Sequence, residues 1–207
     1  NTFRQIRIYD VARKDEDGKQ SEALRRAARR EYRILENLTH PNILQAEYYS
    51  EQEFGPALIF KHDPLALRLD LYLNKMAGTL NVDQRLFILR QITEAVKYAH
   101  GKKIVHRLLC PQSVWISDED GQKPSVKVFN WQTGLSESNV DSQSTGFGMT
   151  LHPEYFVEDV SEVYLSPESA SCNGILAEHL DIFSLGAIAY HLFSGKPPAA
   201  NRIDLLS

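Results

Sequence analysis

The residues best suited to chemistry lie in one short run, IVHRLLCPQSVWI, from Ile104 to Ile116. A short apolar strand leads into His106 and Arg107; Pro111, polar residues and a second apolar pair follow. This is the layout of a catalytic loop, and such a loop is expected to carry a carboxylate. Leu108 stands there instead, and leucine can neither accept a proton nor hold a cation. Cys110, in the same run, reads as a small inert residue rather than a reactive thiol. It and Cys172 are the two cysteines, far apart and without metal-binding spacing, so no metal site is expected. The other candidate is Glu31. It falls on the apolar stripe of a helix, where a carboxylate is costly unless paired. A cation from a neighbouring sheet is therefore expected beside it.

Several elements must position these groups. RQIRIYDVA reads as a half-buried strand, with Ile6 and Ile8 alternating with Arg7 and Tyr9. A helix follows, with Ser21 as its N-cap and Leu24, Ala27, Ala28, Ile34, Leu35 and Leu38 on its stripe; Pro41 ends it. Two strands turning at Gly55–Pro56 come next, then a short helix in LALRLDLYLNKM. The clearest helix begins at Asn81, with Gln84 completing a capping box. Its stripe is Val82, Leu86, Leu89, Ile92, Val96 and Ala99, and Gly101 is its stop. VWISDEDGQKPSVKVFNW reads as a hairpin. From about Gln132 to Glu162 a long loop is expected. LDIFSLGAIAYHLFSGKPP is apolar nearly all round, the pattern of a buried helix.

Bulk properties narrow the classes. The chain has 207 residues, 43% hydrophobic, with a formal net charge of −4. That supplies a real core in one domain or two small lobes. The mild acidity argues against a nucleic-acid partner. No apolar run approaches the roughly 20 residues that span a bilayer. A reduced, cytoplasmic setting is expected. Charge is uneven: RRAARR (Arg25 to Arg30) is basic, while no Lys or Arg occurs between Lys127 and Lys196.

In this order the parts resemble the protein kinase fold, without its first strands and last helices. REYRILENLTHPNIL is similar to the helix that carries the kinase glutamate, and QIRIYD to the strand that carries its lysine. HRLLCPQSVWI aligns with H-R-D-L-K-P-x-N, and VKVFNWQTGL with the strand leading into D-F-G. YLSPES resembles A-P-E, and the final apolar stretch resembles the helix after it. The resemblance implies an α+β, two-lobed fold: a truncated N-lobe sheet with the Glu31 helix over residues 1–62, and a mainly helical partial C-lobe over 63–207. It also implies that the chain is a segment of a longer protein. At a finer level, GPALIFKHDP, HRLLCPQSVWI and FNWQTG resemble kinase-like modules of bacterial phage-defence proteins of the PglW type.

Carried over position by position, the resemblance implies lost chemistry. Phosphoryl transfer needs a lysine on the phosphates, an Asp facing the acceptor hydroxyl, and Asp and Asn ligands for magnesium. Here Arg7 stands for the lysine, Leu108 for the Asp, Cys110 for the loop lysine, Ser113 for the Asn and Asn130 for the metal-binding Asp. Trp131 and Gln132 replace the Phe and Gly, and Gln5 stands above the adenine position. Architectural positions are kept: His106, Arg107, Glu168, Asp181, which is expected to hold the His-Arg backbone, and Glu31, expected to pair with Arg7. The implied function is a pseudokinase acting as a binding or regulatory module. Its partner is expected to be a protein or other domains of the same chain, with no cofactor. The alternative is an atypical kinase or ATP-binding transferase with a rearranged site, which would use ATP and magnesium.

Overall fold

The computed structural model describes residues 3–11, 19–76, 78–118, 123–136, 159–170 and 178–206. A small antiparallel sheet is built from β1 (Arg4–Ile8), β2 (Ala46–Gln52) and β3 (Gly55–Lys61) in the order β1-β3-β2. Helix α1 (Lys19–Asn37) crosses one face of it. Beyond this sheet come β4 (Leu67–Arg68), α2 (Leu69–Met76), α3 (Val82–Gly101) and β5 (Ile104–Val105). They are followed by the hairpin β6 (Val114–Ser117) and β7 (Ser125–Val128), then β8 (Leu135–Ser136), α4 (Glu178–Ser194) and α5 (Arg202–Leu206). β4, β6 and β7 form a second sheet, and β5 pairs with β8. The class is α+β, a small sheet with one helix joined to a mainly helical part.

The strand alternation holds in β1, but with its faces reversed. Ile6 and Ile8 are 58% and 51% exposed, while Arg7 and Tyr9 turn toward α1. The reason is Glu31, which lies on that side and needs a cation. In α1, Ser21 lies inside the first turns rather than capping them, and its hydroxyl donates to the Val11 carbonyl at 3.1 Å. Ala27, Ala28, Ile34, Leu35 and Leu38 are buried as the stripe predicts. The turn of the next hairpin falls at Glu53–Phe54, and Gly55 already belongs to β3. Gly55 has φ +134°, and a Cβ there would meet the Tyr9 carbonyl oxygen at 2.1 Å.

The capping box at the start of α3 is formed: Gln84 N–H donates to Asn81 Oδ1 at 2.9 Å, and Asn81 N–H to Gln84 Oε1 at 3.0 Å. Its buried ladder is Ile88, Ile92, Ala95, Val96 and Ala99, whereas Val82 and Leu86 are exposed. The expected stripe is thus right from the middle of the helix onward and wrong in its first turns. Gly101 is the last helical residue, and the left-handed reversal falls on Lys103, φ 57°. Helix α4 is not buried all round. Leu180, Asp181, Ser184, Leu185, Ala187, Ile188 and Leu192 are buried, and Ile182, Tyr190 and Phe193 are exposed. The long loop expected over 132–162 has structured ends, a 3-10 turn over Trp131–Thr133 with β8, and a second 3-10 stretch over Asp159–Tyr164. Residues 137–158 lie outside the described residues.

Candidate functional site

The site is the junction where β1, α1, the His106 loop and the Trp131 turn meet. Its centre is Glu31, which is fully buried. Arg7 Nη1 donates to both Glu31 oxygens, at 2.8 and 2.9 Å. The Tyr9 hydroxyl donates to Glu31 Oε2, and the Trp131 backbone N–H donates to Oε1 at 2.9 Å. Arg7 and Tyr9 also reach Gln132 Oε1, at 3.4 and 3.3 Å. The cation expected beside Glu31 is therefore Arg7, and its pairing answers the burial cost of both charges. Burial works against the Arg7 charge, but Glu31 and Tyr9 outweigh it and the guanidinium is held above its ordinary value. Burial likewise pushes the Tyr9 phenol well up, so it stays a donor.

Close approach of α1 to the Trp131 turn depends on Gly134. A Cβ there would meet Ile34 Cδ1 at 2.6 Å and the Trp131 carbonyl oxygen at 2.9 Å. Arg30 reaches over this turn to the Gln132 carbonyl at 3.4 Å. Its pKa is lowered by burial first and then by the nearby Arg107 and Arg26 guanidiniums.

The His106 loop is held from behind by Asp181 at the start of α4. Asp181 Oδ2 accepts from the His106 N–H and Oδ1 from the Arg107 N–H, both at 2.8 Å, and His100 Nε2 lies 2.9 Å from Oδ2. The expected role of Asp181 is met. These bonds stabilise a left-handed residue, Arg107 at φ 68°. His106 Nε2 lies 2.8 Å from the Phe129 carbonyl, and Nδ1 accepts from the Leu108 N–H at 3.2 Å. Those partners assign a neutral ring protonated on Nε2. Burial lowers the His106 pKa, which agrees.

The positions that would react are spent on structure. Leu108 is 4% exposed, packed away rather than presented to a substrate. Cys110 is buried, and burial pushes its thiol up, away from the thiolate. The Ser113 hydroxyl donates to the Cys110 carbonyl at 2.8 Å and accepts from the Cys110 N–H at 3.0 Å, so it pins its own turn. Asn130 sits in the left-handed region at φ 65°, its amide 3.5 Å from the Gln112 carbonyl. Trp131 is wholly buried, its ring 4.5 Å from that of His106 and its Nε1 without a partner among the described residues. Gln5 Oε1 is also buried without one.

A magnesium ion needs hard, charged oxygens. The loop offers a leucine, a self-bonded serine and a neutral amide, which do not fit it. Among the described residues no group of three or more His, Cys, Asp or Glu could hold a metal ion.

Glu168 is hydrogen-bonded by the Ser166 hydroxyl, which lowers its pKa. Its turn is anchored by Arg202, which donates to the carbonyls of Glu162 at 3.1 Å, Leu165 at 2.5 Å, Ser166 at 3.1 Å and Pro167 at 3.3 Å. Sequence reasoning missed Tyr9, Gly134 and Arg202. Tyr9 had a readable signal, since it stands two residues after Arg7 and shares its strand face. Gly134 and Arg202 had none, because their role is contact with backbone far away in sequence.

A glutamate helix clamped to a strand cation, and a His-Arg loop hung from a buried helical Asp, define the scaffold of a kinase-type domain. The protein kinase domain family model matches residues 6–205, and the chain belongs to that family. It is 31% identical to the probable kinase PglW of Streptomyces coelicolor over 98% of this chain and 14% of that protein. It is 30% identical to the probable serine/threonine-protein kinase PknB of Lactococcus lactis over 82% of this chain and 24% of that one. Against the human phosphorylase b kinase gamma catalytic chain, liver/testis isoform, identity is 27% over 97% of this chain and 47% of the other. The chain thus spans a minor part of each relative's length. No helix of the described residues is long and apolar enough to cross a membrane.

Proposed function

We propose that this domain is a catalytically inactive member of the protein kinase family, a pseudokinase that serves as a binding or regulatory module. One observation carries the reading: the loop and turn that would supply ligands to a metal and a base to an alcohol supply Leu108, Ser113 and Asn130; Ser113 is engaged in bonds within its own turn, and the Asn130 amide lies 3.5 Å from the Gln112 carbonyl of the neighbouring loop. A triphosphate carries too much charge to be aligned by Arg7 alone, and Arg7 is already committed to Glu31. Neither ATP nor magnesium is part of this reading. The partner is a protein surface or a neighbouring domain; the likeness to PglW supports a place inside a larger bacterial protein, and phage defence is the setting that the motif resemblance implies.

The test is a labelled-ATP transfer assay paired with thermal unfolding in magnesium and ATP. No transfer and no magnesium-dependent rise in Tm are expected. The second reading, an atypical kinase, is favoured by the formed Arg7–Glu31 pair and by relatives named as kinases. A transfer signal that vanishes in Arg7→Ala would establish it.

A further inference from the structure

Resting on the inactive reading, we infer that the cleft is also closed to a bare nucleobase, because a row of the protein's own side chains fills it and Trp115 is the stopper. The row starts on β3 with Phe60, which is opposite Gln5 in the β1–β3 register. The Arg7 guanidinium carbon lies 5.4 Å from the Phe60 ring centre and 5.6 Å from that of Phe129, within cation–π reach of both. Phe129 follows β7, so this one cation bridges the first sheet to the second. The Phe129 ring centre is then 4.8 Å from that of Trp115, on β6. Trp115 meets His62, just past β3, edge-on at 6.2 Å. The row thus leaves the first sheet at Phe60, crosses to the second and returns at His62.

The chemistry of binding decides what this does. A flat ligand gains affinity by covering apolar surface that was wet beforehand. Phe60 and Phe129 are already 1% and 6% exposed. Little ring surface is left to cover, and the gap between Phe129 and Trp115 is that of rings in contact. Entry of a base would require parting Trp115 from Phe129, and the base would at best replace that contact.

The closed row has a local cost. Gln5 Oε1 and His62 Nδ1 are buried with no hydrogen-bond partner among the described residues. Unpaired buried polar atoms are unfavourable. Both flank the row, and both would gain a partner if a base edge came within reach. Trimming Trp115 therefore opens a site whose polar edges are already in place.

The test is equilibrium dialysis of the 207-residue chain with radiolabelled adenosine in EDTA. Wild type is expected to show no saturable binding at millimolar adenosine, and Trp115→Leu is expected to bind at least tenfold more. His62→Ala, at the half-buried far end of the row, is the second variant and is expected to admit adenosine more weakly. Saturable binding by wild type overturns the inference. So does a Trp115→Leu protein that unfolds cooperatively yet binds nothing. If Trp115→Leu does not fold, His62→Ala and wild type decide in the same way. Saturable adenosine binding by wild type in EDTA with no phosphotransfer would sink this inference and leave the inactive reading standing. Magnesium-dependent transfer from ATP would sink the inactive reading itself.

Discussion

Behind the His106 loop, buried polar groups end on partners. Asp181 spends both oxygens on two backbone N–H groups and lies beside His100, and His106 uses both ring nitrogens. At the positions where the family carries its base and metal ligands, the side chains are uncharged: Leu108 is apolar, Ser113 is turned back on its own loop, and Asn130 reaches the Gln112 carbonyl of the neighbouring loop. The two regions are a few residues apart, yet one is complete and the other has no charge to offer. Geometry and reactivity in this fold are therefore separable. The loop's shape is set mainly by Asp181 and His106, and neither stands at a position that would react.

That separation can be broken most strongly from behind. Asp181→Ala leaves two buried N–H groups unpaired and is expected to cost about 4 kcal/mol in urea unfolding, enough to undo the loop. Arg7→Ala strands the Glu31 charge and is expected to cost about 3 kcal/mol, with the loss reduced when Glu31→Gln is added. A double cycle showing no coupling between the two would disprove the pair's role. Leu108→Asp restores the family's acid in name only. At a buried site it is expected to cost about 2 kcal/mol and to yield no phosphotransfer.

Acid provides a gentler probe of the same loop. An unfolded-chain histidine titrates near 6.5, and burial holds the folded His106 below that. Above pH 6.5 neither state takes the proton, so the group contributes no slope. As pH falls below it, the unfolded chain binds a proton that the folded loop refuses, because Nδ1 is accepting from Leu108. Stability is then expected to fall by at most about 1.4 kcal/mol per pH unit from this residue, until its folded pKa is passed. A flat profile between pH 7 and 5 would argue against a folded His106 held below its ordinary value. The smallest effect is expected at Arg202→Ala, about 1 kcal/mol, with faster amide exchange over residues 162–167.

Much of this was legible in sequence for a physical reason. The Glu31 pairing followed from a carboxylate on an apolar stripe, and the Asn81 cap and the β6–β7 hairpin followed from local rules. The failures share a cause as well. Ile6 and Ile8 face outward because the side of β1 was chosen by a charge on another element, not by its own hydropathy. The first turns of α3 and the outer face of α4 are apolar without being buried, and a single helix's pattern cannot say which of its faces finds a neighbour. Phe129 and Trp115 carried no signal of their own in the sequence, and only their contact with each other and with Arg7 distinguishes them.

Asn130 has one more consequence. Its backbone sits where L-residues are strained, and asparagine, aspartate and glycine are the side chains that settle there most cheaply. Among replacements for the family's aspartate that spare the bend, the amide is the one of nearest shape. Asn130→Asp is therefore expected to be almost free for the chain's path, and it is the one of the family's acids that this backbone would take back most easily.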